Sequence, residues 1–483
     1  MAAVLVAVKD FQSDDNILRN FPLIGRLRSW WIRLGPELRQ YTGANNPEEA
    51  PFNREEYDWV DRSTQGGHNY FGFGADEQAY ALDYPIIKHA VFPYGDIGYK
   101  GSSVGQDEDV ACAKILGAAH GRPKAWRPAS IVNISAMSFG ALSGPAIEAL
   151  NRGALLAGCW HNSGEGGLSP HHNHGADVIF QLGAGYFGCR ELDGRFSMEK
   201  LFGTIASCPT VRGVEIKLSQ GAKPGSGGVL PGRKVTSEVA AVRGVRAGRD
   251  CVSPAEHSAF SDVRSLIEFI ERIAQATGLP VGIKSAVGSL DFWKELAQQM
   301  KASGRGPDWI TIDGSEGGTG AIALTPADHA SLPYKLGFTR VYKIFLDEGL
   351  AESIVWIGGG KLGFPHRAVV AFCLGADLIN VAREAMLAIG CVQTQTCHTN
   401  LCPTGVASHN FWLQHGLLPA VQAERFARYC RTFRNELLAV TRACEYEHPS
   451  LFTADDVEIA SGPGTAKTLR EIYGYTPTRP ARA

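Results

Sequence analysis

From Ile131 onward the chain alternates. Short β-rich runs recur at residues 131–137, 157–162, 177–182, 211–218, 281–285, 309–313, 354–358 and 377–381. Helical patterns sit between them. Residues 144–156 are rich in Ala and Leu, and residues 263–277 space Leu266, Phe269, Ile270 and Ile273 along one helix face. Residues 290–302 and 366–374 continue the alternation. Eight such units in ~250 residues predict an α/β fold, a (β/α)8 TIM barrel. The rival is a doubly wound open sheet, which usually carries its glycine-rich turn after the first strand. Here glycines follow the second, fourth, sixth and seventh runs. A barrel accommodates that, because all eight βα loops face one mouth. The long 223–254 connection exceeds a minimal barrel, but long βα loops are where a barrel carries function.

The flanks predict three segments. Residues 1–125 read as an irregular or helical extension packed on the barrel, 126–410 as the barrel, and 411–483 as a helical segment and tail. A charged amphipathic helix is expected near residues 416–440, and a loose tail over the final twenty residues. Residues 21–39 place Trp30 and Trp31 among Arg26, Arg28, Arg33 and Arg39. They are expected to pack as an amphipathic helix on the main domain, with a membrane surface or a partner as the alternative.

Composition narrows the function. Lys+Arg total 47 and Asp+Glu 49, giving −2, so no bulk charge draws the chain to nucleic acid. No run of ~18 uncharged apolar residues suggests a transmembrane segment. Residues 1–8 are short for a signal-peptide core and Lys9 and Asp10 close them, so a cytoplasmic location is expected. Eleven cysteines in a reducing compartment suggest metal binding more than disulfides.

Glycine accounts for 56 of 483 residues, against a usual ~7%. Gly314-Ser-Glu-Gly-Gly-Thr-Gly320 follows the sixth run, Gly358-Gly-Gly-Lys361 the seventh, and Arg383 the eighth. Glycine lets backbone N–H groups approach an anion closely, and the last loops of a barrel often grip a phosphate. A phosphate-bearing cofactor is therefore expected. Lys217 and Lys284 close apolar runs at the mouth, where a buried lysine needs an anion. Either the N1–C2=O edge of a reduced flavin or a substrate carboxylate answers that need. Cys391, Cys397 and Cys402 are spaced C-x5-C-x4-C, and a proline follows the last. Three thiolates so close suit a three-iron cluster. Zinc with His398 as fourth ligand is the rival. His171, His172 and His174 read as a polar loop more than a metal site.

Several motifs together resemble a known family. Ser135-Ala-Met-Ser-Phe-Gly-Ala-Leu-Ser143, Asn162-Ser-Gly-Glu-Gly-Gly167, Lys217-Leu-Ser-Gln-Gly-Ala-Lys-Pro-Gly225, Gly317-Gly-Thr-Gly320 and the cysteine triplet resemble the FMN-binding synthase domain of glutamate synthase, in matching order. Arg19-Asn-Phe-Pro22 and Cys397-His-Thr-Asn-Leu-Cys-Pro-Thr-Gly405 are similar to its stand-alone branch, the FMN-binding glutamate synthase family proteins. The resemblance implies FMN at the barrel mouth and a [3Fe-4S] cluster beside it. It implies an oxidoreductase acting on CH–NH2 groups that aminates a 2-oxo acid, such as 2-oxoglutarate, with ammonia or a small amine. Met137 and Ser138 would line the flavin by backbone, and Lys284 would meet its N1–O2 edge. Gly318, Thr319, Gly359, Gly360 and Arg383 would bind its phosphate. Lys217, Gln220 and Lys223 would hold the substrate, and Glu165 would handle protons. Cys391, Cys397 and Cys402 would ligate the cluster.

The departures concern substrate and partners. The family commonly carries acidic residues where this chain has Leu168 and Ser226. The motifs include neither the glutamine-hydrolysing domain nor the C-terminal β-helix of the full enzyme. Ammonia is then expected free, from an amidotransferase partner, or replaced by a primary amine. No Gly-x-Gly-x-x-Gly follows a first strand, so ferredoxin or a reductase subunit is the expected donor. A homo- or hetero-oligomer is compatible with this reading. Two alternatives stand: a flavin barrel reducing another C=N or C=C bond, and a cofactor-binding electron-transfer subunit without catalysis.

Overall fold

The computed structural model describes residues 2–31, 49–66, 69, 74–75, 77–95 and 110–477. Every expected run contributes a barrel strand. These are β1 (Val132–Ile134), β2 (His161–Asn162), β3 (Val178–Leu182), β4 (Val211–Lys217), β5 (Val281–Ser285), β6 (Trp309–Asp313), β7 (Val355–Gly359) and β8 (Leu378–Val381). Each lies parallel to its sequence neighbours, and β8 closes onto β1 with Ile379 opposite Val132. The closure excludes the open-sheet rival, whose two edge strands would each lack a neighbour.

Helix ends explain where strands are shorter than expected. The helix Gly144–Ala157 starts on Ser143, whose hydroxyl accepts from the Ala146 N–H, and ends on Gly158 at φ 65°. That cap takes the first half of the 157–162 run and leaves β2 two residues long. The helix Val263–Thr277 matches its expected range and buries Leu266, Phe269, Ile270 and Ile273 against the barrel.

Inside the barrel, Glu215 of β4 ties the strands together. Its carboxyl accepts from Asn162 at 2.8 Å, Gln181 at 2.8 Å, Thr311 at 2.7 Å and Trp309 at 3.3 Å. Those donors come from β2, β3 and β6. Glu215 shares the inward face with Lys217, two residues further toward the mouth. A polar plug thus underlies the lysine.

The 223–254 connection is built rather than loose. Val229–Leu230 pairs antiparallel with Cys251–Val252, and the helix Ser237–Arg243 lies between them. The lead-in is also more regular than its texture suggests. It forms the helices Ala2–Phe11, Asn16–Asn20 and Arg54–Thr64, the last opened by an Asn53–Glu56 capping box. Packing of the 21–39 stretch is a correction. Residues 25–31 are helical, but Leu27, Trp30 and Trp31 keep 65%, 59% and 65% of their surface exposed. Arg33 and Arg39 lie outside the described residues.

The helix Pro419–Ala443, near the expected 416–440, packs along Gly144–Ala157. The loose tail is another correction. Val457–Gly462 pairs with Thr465–Thr468 and with Pro85–Ile87, so both flanks share one three-stranded sheet. Leu469 is buried, and the Tyr475 hydroxyl donates to the Leu374 carbonyl at 2.8 Å. These anchors hold the chain to residue 477.

Candidate active site

The barrel's C-terminal mouth collects the charged residues. Lys217 ends β4, Asp313 ends β6 and Lys284 lies one residue inside the end of β5. The loop after β2 carries Glu165 to them. Lys217 Nζ donates to Glu165 Oε1 at 2.5 Å and to Gln220 Oε1 at 3.1 Å. Lys223 Nζ reaches the same Glu165 oxygen at 3.3 Å. All three charged side chains are nearly buried.

Glycine is required for this loop to sit there. Gly164 has φ +66°, and a Cβ on it would lie 2.5 Å from the Ser138 nitrogen. Only a hydrogen lets the β2 loop rest on the Met137–Ser138 backbone. Met137 is buried beneath it.

The electrostatics follow from unequal sharing. Burial opposes ionisation of Glu165, but Lys217 and Lys223 outweigh it and hold the carboxyl well below the usual carboxylate range. Burial pulls Lys217 down to about 8, because its single carboxylate is shared with Lys223 and Lys284 is also close. The cluster is therefore one carboxylate over-compensated by ammonium groups. It can take a further anion.

Lys284 has an internal partner that the motifs did not disclose. Its Nζ lies 3.6 Å from Asp313 Oδ2, which also accepts from the Gly221 N–H at 3.0 Å. Asp313 was visible as the polar end of an apolar run, directly before a glycine loop. His257 was missed as well. It is buried, with Nε2 2.9 Å from the Lys217 carbonyl and Nδ1 3.1 Å from the Tyr186 hydroxyl. Burial lowers it to about 4, so it supports the Lys217 backbone as a neutral ring. No sequence signal distinguished it from other loop histidines.

The glycine loops lie side by side. The Gly314 N–H donates to the Gly359 carbonyl at 2.9 Å. Gln220 Nε2 donates to the Gly318 carbonyl at 2.5 Å, linking the lysine cluster to this rim. Thr319 is half-buried beside it. Gly360 has φ +125°, a conformation that favours glycine. Arg383 opens the helix Arg383–Ala388, donates to the Glu316 carbonyl and stacks 5.0 Å from the Phe52 ring. Backbone amides at glycines beside an arginine are the donor set a phosphate requires, so the residues present fit the FMN phosphate. A cavity of about 980 Å³ opens behind this rim, lined by Glu316, Gly360, Lys361, Arg367 and Tyr84. None of Lys217, Lys223 or Lys284 lines it.

The three histidines diverge. His171 pairs with Glu238 at 2.8 Å, His172 with Ser169 at 2.9 Å and His174 with Glu148 at 3.8 Å. Each ring thus faces a different partner.

Cys391, Cys397 and Cys402 follow the helix Arg383–Ala388 and feel one another's charge. Burial raises Cys391 to about 12, so a bare thiolate there is disfavoured. Among the described residues no three His, Cys, Asp or Glu side chains close on one point as a single ion demands. A cluster asks for one thiolate per iron, on separate corners, and three neighbouring thiols, Cys402 buried and Cys391 and Cys397 half-buried, fit that donor set. The lead-in clasps this loop. Asn20 Nδ2 donates to the carbonyls of Pro403 at 2.8 Å and Leu413 at 2.7 Å, and Asn16 Nδ2 to Thr404 at 3.2 Å.

The model of the conserved region in glutamate synthase matches residues 111–447. The chain belongs to that family. It is 36% identical over 479 residues to the glutamate synthase large subunit-like protein YerD of Bacillus subtilis, covering 92% of this chain and 90% of that one. It is 33% identical over 309 residues to an archaeal-type glutamate synthase [NADPH] of Thermotoga neapolitana, covering 63% of this chain and 57% of that one. Among solved structures, the flavin-binding domain of baker's yeast flavocytochrome b2 aligns over 87% of this chain and 83% of its own, at 11% identity and a TM-score of 0.45. No helix among the described residues is long and apolar enough to cross a membrane.

Proposed function

We propose that this chain is an FMN- and iron–sulfur-dependent oxidoreductase that reductively aminates a 2-oxo acid of the 2-oxoglutarate type with ammonia or a small amine. The observation that carries the reading is the grip of Lys217 and Lys223 on the single Glu165 oxygen at the barrel mouth.

A 2-oxo acid presents a carboxylate beside a keto oxygen. Lys217 and Lys223 offer two ammonium groups to that pair, and Gln220 adds an amide. An entering carboxylate competes with Glu165 for Lys217. As the lysine turns to the substrate, the Glu165 carboxylate becomes free to accept a proton. Ammonia attacks the keto carbon, forming the C–N bond. As the C=O π bond opens, a lysine ammonium protonates the oxygen and Glu165 takes a proton from the nitrogen; Glu165 returns that proton to the departing hydroxyl, and the neutral lysine takes the second nitrogen proton as the C=N bond forms. The products of this half are an imine and water. Bound FMN supplies hydride to such a C=N bond, and a bound cluster supplies single electrons. Gly318, Thr319, Gly359, Gly360 and Arg383 would hold the FMN phosphate, Lys284 its N1–O2 edge, and Met137 and Ser138 its ring. Cys391, Cys397 and Cys402 would hold the cluster. Reduced ferredoxin or a reductase subunit is the donor class.

The test is an anaerobic preparation whose visible spectrum and iron and sulfide contents are measured. Flavin bands with about three irons per chain are expected. The photoreduced protein is then mixed with 2-oxoglutarate and ammonia or methylamine. Reoxidation of the flavin supports the reading. Flavin that stays reduced with every 2-oxo acid and amine tried refutes it.

A further inference from the structure

Two cations from the β4–β5 connection are buried between the loop after β1 and the cysteine loop. Lys234 is 2% exposed and Arg243 4%. Lys234 Nζ donates to the Ala141 carbonyl at 2.6 Å and to the Cys397 carbonyl at 3.0 Å. Ala141 lies four residues beyond Met137, and Cys397 is the middle cysteine of the triplet. One ammonium group thus fastens the Met137–Ser138 loop to the thiol loop. Arg243 donates to the Phe139 carbonyl at 2.9 Å and lies 3.4 Å from the Ser138 hydroxyl. Its Nε is buried and makes no hydrogen bond among the described residues.

Among the described residues the hydrogen-bond partners of both cations are carbonyls, a hydroxyl and the Cys251 thiol, with the Phe187 ring under Arg243 and no carboxylate. Other buried cations at the mouth and in the core have an acid: Lys217 and Lys223 have Glu165, Lys284 has Asp313, and Arg122 has Glu271 and Asp308. A buried cation without an anion is unstable. Lys234 touches the backbone of Cys397, and the Cys397 and Cys402 thiols lie near enough for a thiolate on either to act on its charge.

We propose that Lys234, with Arg243 behind it, is the built-in counter-cation of an iron–sulfur cluster on Cys391, Cys397 and Cys402, and that its charge raises the cluster's reduction potential. This rests on the iron–sulfur reading above. Three thiolates make such a cluster anionic, and accepting one electron adds another negative charge. A fixed cation in a low-dielectric site stabilises the reduced form more than the oxidised one. The same charge favours electron arrival at the cluster from an external one-electron donor. Lys234 is a positioning residue here, since its ammonium group contacts a ligand's backbone.

The experiment compares wild type, Lys234→Gln and Lys234→Arg as full chains with both cofactors loaded. Glutamine keeps a donor for the two carbonyls and removes the charge; arginine keeps the charge. Readouts are iron and sulfide content, the electron paramagnetic resonance of the oxidised cluster, and its midpoint potential in a dye-mediated titration. The expected result is a fall of about 59 mV or more in Lys234→Gln, a tenfold change in the one-electron equilibrium, with Lys234→Arg close to wild type. Loss of iron from Lys234→Gln alone also supports the proposal, because assembly then needs the charge. A full-iron Lys234→Gln with an unmoved potential overturns it. So does an equal shift, or equal iron loss, in both variants. A wild type that takes up no iron on reconstitution refutes the iron–sulfur reading itself, and is distinguishable from an iron-bearing protein indifferent to Lys234.

Discussion

Lys217 Nζ stands 2.5 Å from Glu165 Oε1, although the two residues are 52 apart in sequence. Replacing Glu165 with Gln leaves Lys217 and Lys223 facing each other without a carboxylate. Turnover with a 2-oxo acid and ammonia is expected to drop by about 10²–10⁴-fold, the range for losing a general acid–base. Flavin content is expected to hold. Stopped-flow reoxidation of reduced flavin measures this, and a rate within twofold of wild type removes Glu165 from the chemistry.

The lowered Lys217 titrates near the working range. Its value of about 8 lies below its ordinary 10.5, so above pH 8 it sheds the charge that holds a substrate carboxylate. KM for the 2-oxo acid is expected to rise by about tenfold per pH unit there, with kcat changing less. Lys217→Arg is expected to move that limb upward, since guanidinium stays charged. A KM that is flat from pH 7 to 10 contradicts the assignment.

Stability responds to the same groups with opposite signs. Glu165 has a folded value below its unfolded one, so its contribution is present above the usual carboxylate range and is lost as pH falls through and below it. Lys217 is depressed in the folded state, so its contribution is unfavourable near neutrality and is relieved between pH 8 and 10.5. Urea midpoints from pH 3 to 10 are expected to show a steeper acid loss in wild type than in Glu165→Gln.

Cysteine substitutions separate cluster ligands from core thiols. Cys397→Ala or Cys402→Ala is expected to abolish bound iron while leaving flavin bands. Cys112→Ala, at a buried thiol outside the triplet, is expected to keep full iron. Metal analysis with visible spectra reads all three. Iron retained in both triplet variants contradicts the ligand set.

Arg122 joins the lead-in to the barrel floor. Its guanidinium donates to both Glu271 oxygens at 2.7 Å, and its Nε to Asp308 at 3.0 and 3.1 Å. Asp308 also accepts from the Val281 N–H at 2.6 Å, at the start of β5. Arg122→Met leaves buried Glu271 without its cation and Asp308 with only His120 and the Val281 N–H, and a loss of roughly 3–5 kcal/mol is expected. Thermal unfolding is expected to shift down with the flavin spectrum unchanged. An unaltered melting temperature contradicts this role.

The barrel was legible because its signals are local. A buried run flanked by helix caps declares itself within a dozen residues, as Val263–Thr277 does between Asp262 and Gly278. The cysteine spacing and the glycine rim are likewise short-range patterns. The ordered tail is not legible in the sequence because its stability comes from distant partners. Val457–Gly462 needs Pro85–Ile87, and the Tyr475 hydroxyl needs Leu374. The exposure of Trp30 and Trp31 had no signal either, since an amphipathic stretch reads alike whether or not a neighbour covers it.

The sequence by itself determined the eight strands, the glycine loops at the late strands and the three clustered thiols, because propensity, periodicity and spacing act over a few residues. Barrel closure alone decided which charges meet. It brought Glu165 to Lys217, Asp313 to Lys284 and Lys234 to the Cys397 carbonyl. Those pairings depend on how loops from different strands converge on one rim, and no local pattern encodes the distance between them.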